Sequence, residues 1–382
     1  MENTLLIPLA LLFFLILSVV FSFLINGLLL KFSRTLGNRE VQHRHNIRWS
    51  PSVKPSVGGF SFYILFLLGI SLHGLYSFTG ESADNKFLFG IIAAVNTGFI
   101  LGLADDAYNT IPVLKFFGQL LCGVLLVGTN TIIHLTGNQS IDIAFTLVWV
   151  IGIMNSINML DNMDGISGLV SLTILIACVL VLYVEGNIFS LKTVMLLGVS
   201  GALIGFLYFN WHPARIYMGD TGSQFLGAFI AAITIPVLWK YHEAAGPAFQ
   251  LKQIIIPLIA FSIPILDTVT VFIRRIARGK SPFVGGKDHI SHHFVYAGLS
   301  DSQVMYLLGG WSLFSALLTA FLIHSFNLLN ETIVITVFSY FILLFIAVQF
   351  FYNYGMKKEQ RRLAKNTSAE KENLAHPQSV TA

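Results

Sequence analysis

The sequence predicts an all-α polytopic membrane protein of about eleven transmembrane helices, with its N-terminus outside and its C-terminus cytoplasmic. Three observations carry this prediction. The 382 residues are 55% hydrophobic and only 11% charged, with a mean hydropathy of +0.73, far too apolar for an ordinary soluble domain. Apolar runs of roughly 17 to 25 residues recur, each long enough as a helix to cross a hydrocarbon core of about 30 Å. Of the 23 Lys and Arg residues, nineteen fall in segments on one side, leaving only Lys86, Lys192, Lys240 and Lys252 on the other. That positive-inside asymmetry assigns the first side to the cytoplasm.

The spans follow one another near 5–30, 57–79, 87–104, 112–128, 143–160, 166–184, 191–209, 223–239, 253–273, 304–325 and 331–353. The first has no basic residue ahead of it, is too long for the apolar region of a signal peptide and has Lys31 behind it. It is therefore expected to be an N-out anchor. The basic, turn-rich loop Arg48–Gly59 leads into the second span on the cytoplasmic side. Trp49, Trp149, Trp211 and Trp239 lie near span ends, where an interfacial aromatic belt is the default account. Cys122 and Cys178 both sit inside apolar runs, which fits core packing better than a disulfide or a metal pair. Residues 1–356 are expected to form one integral-membrane catalytic domain, and 357–382 a basic, disordered cytoplasmic tail.

The acidic residues are the informative exceptions. Carboxylates beside lipid are expensive unless paired or solvated, yet here they gather at the cytoplasmic ends of the spans. Asp105-Asp106 closes the third span. If the helix runs on one turn, Asp105 and Asn109 are four apart and put oxygen ligands on adjoining faces. Adjacent carboxylates repel, which favours a cation between them or a raised pKa on one. A solvated helix end would carry the same pair.

Between the fifth and sixth spans, Asn155, Asn158, Asp161, Asn162 and Asp164 interrupt an apolar stretch. A turn needs one or two such residues, not five. Asn offers donors and acceptors suited to a base edge or an amide, and Asp161 and Asp164 suit a ribose hydroxyl or a metal. The loop Asn210–Ser223 then feeds the eighth span, with Gly219 and Gly222 flanking Asp220 and Thr221. Ser223 is placed to cap that helix, whose N-terminal amides could meet a diphosphate while Asp220 holds a metal. Mg²⁺, or Mn²⁺ in its place, suits one or two carboxylates completed by phosphates and waters. Gly-Asp-Thr-Gly-Ser is also a good capping turn.

The ninth span contains Pro257 and Pro264, which are expected to kink it near Asp267. After it, Arg274–His293 gathers five cations and three His, a candidate arm for phosphates through residues such as Arg274 and Arg275. His289, His292 and His293 lack the Cys or His-rich helix that a closed zinc site would use. Together the residues describe a membrane enzyme acting on an anionic substrate with a divalent metal at its cytoplasmic face.

Taken in order, these motifs resemble the polyprenyl-phosphate N-acetylhexosamine-1-phosphate transferases, glycosyltransferase family 4. The segments that carry the resemblance are Asn158-Met-Leu-Asp-Asn-Met-Asp-Gly165 and Met218-Gly-Asp-Thr-Gly-Ser223, within a likeness running from about Arg48 to Ser300. The resemblance implies catalytic roles for Asp105, Asp106, His289 and His292, and makes Asp220, with Asp105, the Mg²⁺ site. Asn155, Asn158, Asp161, Asp164, Asn210 and Tyr217 then surround the uridine nucleotide. Two departures stand out. Ser291 occupies the middle place of the family's His-x-His-His run, and the early loop at Arg48-Trp49-Ser50 lacks the family's His.

The expected reaction is transfer of GlcNAc-1-phosphate from UDP-GlcNAc to undecaprenyl phosphate with release of UMP, at the inner membrane. The expected partners are the UDP-N-acetylhexosamine, the polyprenyl phosphate, the bilayer and a second copy of the chain, with no nucleic acid. The alternatives are the phospho-MurNAc-pentapeptide transferase of the same family and a transporter of an anionic lipid or nucleotide sugar. A transporter would be expected to carry ionisable residues in mid-span. A CDP-alcohol phosphotransferase needs Ala-Arg soon after Asp-Gly, whereas Ile166-Ser167 follows Asp164-Gly165 here.

Overall fold

A computed structural model describes residues 3–35, 54–76, 85–241, 250–279, 281, 286–325 and 331–375. Arg48 and Trp49 of the early loop, the middle of the basic arm and the chain end beyond Ala375 lie outside the described residues. Thirteen helices account for nearly all of the described chain. In order they are α1 (Asn3–Thr35), α2 (Gly59–Tyr76), α3 (Asn85–Tyr108), α4 (Pro112–Gly128), α5 (Gln139–Leu160), α6 (Ile166–Val184) and α7 (Leu191–Asn210). There follow α8 (Gly219–Leu238), α9 (Leu251–Ala260), α10 (Ser262–Ala277), α11 (Ile290–Ala297), α12 (Asp301–His324) and α13 (Glu331–Ala375). The described residues contain no strand beyond a single parallel bridge, Ser56 to Tyr217.

Each of the eleven expected spans coincides with a helix or a helix pair, but they are not equivalent. Among the described residues eight helices are long and apolar enough to cross a membrane, and the pair α9–α10 would make a ninth. The apolar parts of α2 and α4 are shorter, Gly59–Leu72 and Pro112–Gly128. At 1.5 Å per residue, 17 residues rise only about 26 Å.

The ninth span is where sequence chemistry bends the chain. α9 and α10 meet at 85°, with Phe261 between them. Pro264 has no N–H to offer the carbonyl four residues back, so the α9 ladder stops at Ala260, and in the first turn of α10 the missing donor costs nothing. The expected kink is thus a full break. The boundary expected at 357 falls inside α13, which continues as helix to Ala375. Lys, Glu, Gln, Arg, Leu and Ala dominate 357–365, and these are good helix formers.

α8 is the axis of the molecule. It is buried along almost its whole length and packs against α2, α3, α5 and α6, while α1 and α13 keep most of their apolar surface exposed. Such outward Leu, Ile and Phe side chains are what a hydrocarbon surround requires. Glycine lets the axis be approached closely. A Cβ on Gly59 would overlap the backbone of Gly222, so α2 meets α8 backbone to backbone.

Trp149 and Trp239 depart from the aromatic-belt expectation. Both are buried, with ring centroids 5.1 Å apart and Phe261 4.9 Å from Trp149. They form part of the core under the α9–α10 bend. Cys122 and Cys178 are free and fully buried, as core packing requires.

Candidate active site

α3 and α8 run antiparallel, so the end of one meets the start of the other, and this brings the two acidic motifs together. Asp105 is buried and Asp220 lies within hydrogen-bonding reach of it. Each carboxylate has its own holder. Thr110 donates to Asp105 Oδ1 from its backbone N (2.9 Å) and its hydroxyl (2.8 Å), and the Lys115 ammonium of α4 pairs with Oδ2. Asn158 of α5 donates to Asp220 Oδ1 at 2.7 Å and to Ser223 Oγ at 2.7 Å. Two carboxylates this close favour a cation or a proton shared between them, and Lys115 supplies a cation from one side only.

The neighbouring Asp106 has a different task. Its Oδ1 accepts from Asp220 N at 3.2 Å, and its Oδ2 accepts from Thr221 N at 2.8 Å and Thr221 Oγ1 at 2.7 Å. Asp106 therefore caps α8 from another helix, filling amides that the sequence offered to a diphosphate. Ser223, expected as the cap, lies one turn inside the helix and bonds Asn158 instead. Gly219 makes the entry possible at φ 73°, where a side chain is strained. Asp106→Ala should lower the apparent Tm by the loss of a cap, about 1 to 2 kcal/mol, and Thr221→Ala should lose part of that. Equal Tm values for Asp106→Ala and the unaltered protein would remove the capping assignment.

Asn109 also departs from expectation. It ends α3 in the left-handed region at φ 52°, is exposed, and leaves Thr110 to bind Asp105.

The end of α5 presents two faces. Asn155 and Asn158, one turn apart, look toward α4 and α8. Asn155 exchanges bonds with Gln119, donating at 2.7 Å and accepting at 3.3 Å, and Gln119 in turn donates to Gln224 at 3.2 Å. Ser156, on another face, meets Thr268 Oγ1 of α10 at 2.5 Å. One helical turn thus ties the acidic pair to α10.

Asp164 and Asn210 build the next wall. Asp164 Oδ2 accepts from Ala214 N at 2.9 Å, meets His212 Nδ1 at 3.1 Å and lies 3.6 Å from Lys54. Asn210 is almost fully buried, accepts from Gly165 N at 3.0 Å and donates to Ile216 O at 2.8 Å. Its amide braces two loops. Tyr217 runs beside the early loop, its N donating to Pro55 O at 2.9 Å and its O accepting from Gly58 N at 3.0 Å, with Lys54 5.1 Å from the ring centre. Asp161 ends α5, half-buried.

The histidine arm packs under α10. Asp267 Oδ2 is 2.7 Å from His289 Nδ1, and its Oδ1 accepts from Ile290 N at 2.8 Å. Ser291, at the departure from the family's run, donates to Asn162 Oδ1 at 2.7 Å, joining this arm to the turn after α5. The two arginines diverge, as consecutive helical residues must. Arg275 grips Asp288 bidentately at 2.8 and 2.6 Å, and that pairing outweighs burial to hold Asp288 below the usual carboxylate range. Arg274 turns to α13, donating to Gln349 at 2.6 Å with its guanidinium over Tyr352.

Burial, then the neighbouring His289 and His293, pushes His292 down to about 2. Burial, then Arg274, pushes His293 down to about 3. Both stay neutral when folded but take a proton when unfolded below about 6.5. The unfolded state then binds more protons, so this contribution to stability is complete above pH 6.5 and is lost as pH falls toward the folded values. Its slope is about 1.4 kcal/mol per pH unit per histidine. The apparent Tm should fall between pH 6.5 and 5, and His293→Gln should flatten that fall. A pH-independent Tm over this interval would contradict the burial of neutral rings.

The structure therefore joins Asp105, Asp220 and Asn158 directly, puts Asp106 in support of them, and sets Asp164, Asn210 and Tyr217 in one wall and Asp267, His289 and His292 in another. Lys115, Thr110, Gln119, Gln224, Lys54 and His212 also belong to these clusters, although the sequence singled none of them out as a site residue, and Asp267, which the sequence grouped with the acidic residues without a role, joins them through His289. Lys115 and Lys54 were legible only as topology charges, and Gln119 and Gln224 as polar residues inside apolar spans.

The family model described as "Glycosyl transferase family 4" matches residues 88–237, which run from α3 through α8. The chain is 30% identical over 316 residues to a Bacillus subtilis protein named "Probable undecaprenyl-phosphate N-acetylglucosaminyl 1-phosphate transferase", covering 80% of this chain and 81% of that one. It is 28% identical over 291 residues to the "Decaprenyl-phosphate N-acetylglucosaminephosphotransferase" of Mycobacterium leprae, covering 67% and 70%. It is also 28% identical over 336 residues to the "Phospho-N-acetylmuramoyl-pentapeptide-transferase" of Halalkalibacterium halodurans, covering 81% and 96%.

Proposed function

The chain belongs to glycosyl transferase family 4, and from that premise we propose that it transfers GlcNAc-1-phosphate from UDP-GlcNAc to undecaprenyl phosphate and releases UMP. The observation that carries this reading is the meeting of Asp105 and Asp220 from antiparallel helices at one end of the buried helix α8. That end is the cytoplasmic face by the distribution of Lys and Arg, where a soluble nucleotide sugar and a lipid phosphate of the inner leaflet can meet.

The donor set suits Mg²⁺, or Mn²⁺ in its place. Two hard carboxylates lie close together with one adjacent cation, and among the described residues no group of three His, Cys, Asp or Glu closes a site by itself. A metal completed by substrate phosphates needs no more. Asp220 and Asp105 would hold it. When bound it would neutralise charge on the diphosphate.

The residues of the chain do the rest. A lipid-phosphate oxygen attacks the β-phosphorus of the donor, and the bond to the UMP oxygen breaks. Asp105 orients the attacking phosphate or takes its proton, with Lys115 beside it to steady the anion. A phosphate monoester is largely ionised near neutral pH, so positioning and charge neutralisation carry more of the rate than the base. Asp106 keeps Asp220 in register by capping α8, and Asn158 fixes the Asp220 carboxylate. Asp161, Asp164 and Tyr217 face the uridine, with Asn210 bracing their wall and Asn155 held by Gln119 on the side of the acidic pair. His289, His292 and Arg275 engage the phosphates or the sugar, and Arg274 anchors the arm to α13. The chain through α13 acts as one catalytic domain in the inner membrane, as a homodimer.

The test is UMP release by the purified protein with undecaprenyl phosphate and Mg²⁺, comparing UDP-GlcNAc, UDP-GalNAc and UDP-MurNAc-pentapeptide. UDP-GlcNAc is expected to be the productive donor, with activity lost in EDTA and without lipid. Turnover of the pentapeptide donor alone would instead favour the reading suggested by the Halalkalibacterium relative.

A further inference from the structure

Lysine is scarce on the side of the molecule opposite the acidic cluster, where the sequence leaves only Lys86, Lys192, Lys240 and Lys252. Three of these four line a single cavity of about 350 Å³. They come from separate places in the chain. Lys86 is in the first turn of α3, Lys192 in the first turn of α7 and Lys240 just past the end of α8. Asn130, His134 and Trp239 complete the wall that matters here. The volume falls in the lower part of the range of small-molecule sites.

The cavity is remote from the reaction. The helices that bring Asp105 and Asp220 together at one end carry Lys86 and Lys240 at the other, about 28 Å away by helical rise. Two carboxylates stand beside the lining and offset part of its charge, Glu185 against Lys240 and Asp142 3.8 Å from His134 Nδ1. Glu185 Oε2 is 2.7 Å from Lys240 Nζ and also takes the Tyr241 hydroxyl. Asp142 is buried and accepts from Leu135 N at 3.1 Å and Thr136 N at 2.8 Å. Three lysines brought to one cavity from separate places in the chain, with Asn130 and His134 in the same lining, suit a phosphate oxyanion. Lys binds phosphate as a point charge of this kind.

We infer that this cavity is a phosphate-binding site on the face opposite the acidic cluster, taking a phosphate group carried by a membrane lipid or free in solution. The inference is independent of the proposed transferase activity. It predicts that one ligand shields Lys86 and Lys192 together.

The test uses the full chain in phosphatidylcholine nanodiscs, with acetylation rates of Lys86 and Lys192 read by mass spectrometry. One arm titrates inorganic phosphate into the buffer, and the other adds phosphatidylglycerol to the bilayer, each against NaCl at matched ionic strength. Saturable protection of both lysines, at least fivefold and with one midpoint, is expected in one or both arms. Protection by phosphate alone identifies a soluble anion, and protection by phosphatidylglycerol alone identifies a lipid headgroup. Lys86→Gln should weaken protection of Lys192 at least fivefold while Lys86→Arg preserves it, and both variants should keep the normal rate of UMP release. Protection no greater than NaCl produces, or a Lys192 midpoint unmoved by Lys86→Gln, overturns the site.

Discussion

Asp220→Asn should abolish turnover while the fold holds or gains stability. The Asp220 carboxylate faces Asp105 within hydrogen-bonding reach, and two like charges at that separation repel. An Asn side chain keeps an oxygen for the 2.7 Å bond from Asn158 and turns an amide donor toward Asp105 that holds without a shared proton. What it loses is the negative charge that would hold a divalent cation against the diphosphate. The expected result is a fall in UMP release of roughly 10³-fold or more, on the scale of removing a principal electrostatic stabiliser, with an apparent Tm equal to or above that of the unaltered protein. This is the signature of a site in which function is kept at the expense of local stability. Activity retained at ordinary Mg²⁺ would remove the metal role of Asp220. A large drop in Tm would mean that its carboxylate is structural. Asp106→Ala provides the contrast, since its carboxylate meets three donors and its loss destabilises the start of α8.

The second large effect is expected at Asp267. Its carboxylate is buried, meets His289 Nδ1 at 2.7 Å and accepts from Ile290 N at 2.8 Å. In the neutral imidazole this arrangement keeps the proton on Nδ1 and leaves Nε2 as the acceptor, a tautomer inferred from the bond itself. Asp267→Asn can present its amide group to Nδ1 and so reverse the tautomer with little change of shape. If His289 handles a proton or a phosphate through Nε2, kcat should fall by about 10²-fold or more, with KM for the nucleotide sugar changed much less. Asp267→Glu should recover part of the rate. Near-normal kcat in Asp267→Asn would leave Asp267 as a brace for α11, and an equal loss in Tm and activity would point the same way.

Much of the site was legible before any contact was known, and particular residues explain why. Asp105, Asp220 and Asn158 are polar groups at the ends of apolar spans, where lipid tolerates such groups only if they are assembled, and His289 stands out in a His cluster that a plain basic loop does not explain. Their residue types also suited the chemistry, with hard oxygens for Mg²⁺ and amides for a base. The break at Phe261 followed from Pro257 and Pro264. What composition could not separate was role. Asp105 and Asp106 are adjacent and chemically identical, yet one faces Asp220 and the other caps α8. Arg274 and Arg275 are likewise a single basic pair in sequence but point to α13 and to Asp288. A rotation of about 100° per residue sends neighbours to different partners, and only the packing of other helices says which partner waits there.

The sequence by itself determined the class of molecule and the family to which it belongs. Those properties follow from hydropathy and local motif order, each readable along one dimension. The tertiary structure alone decided that Asp106 supports rather than faces the acidic centre, that Asn210 braces a wall, that Lys115 stands beside Asp105 and that three sparse lysines share a cavity. Each of these depends on helices far apart in the chain meeting in a particular register. The buried axis α8 sets that register, because glycines such as Gly59 and Gly222 let its neighbours pack backbone to backbone.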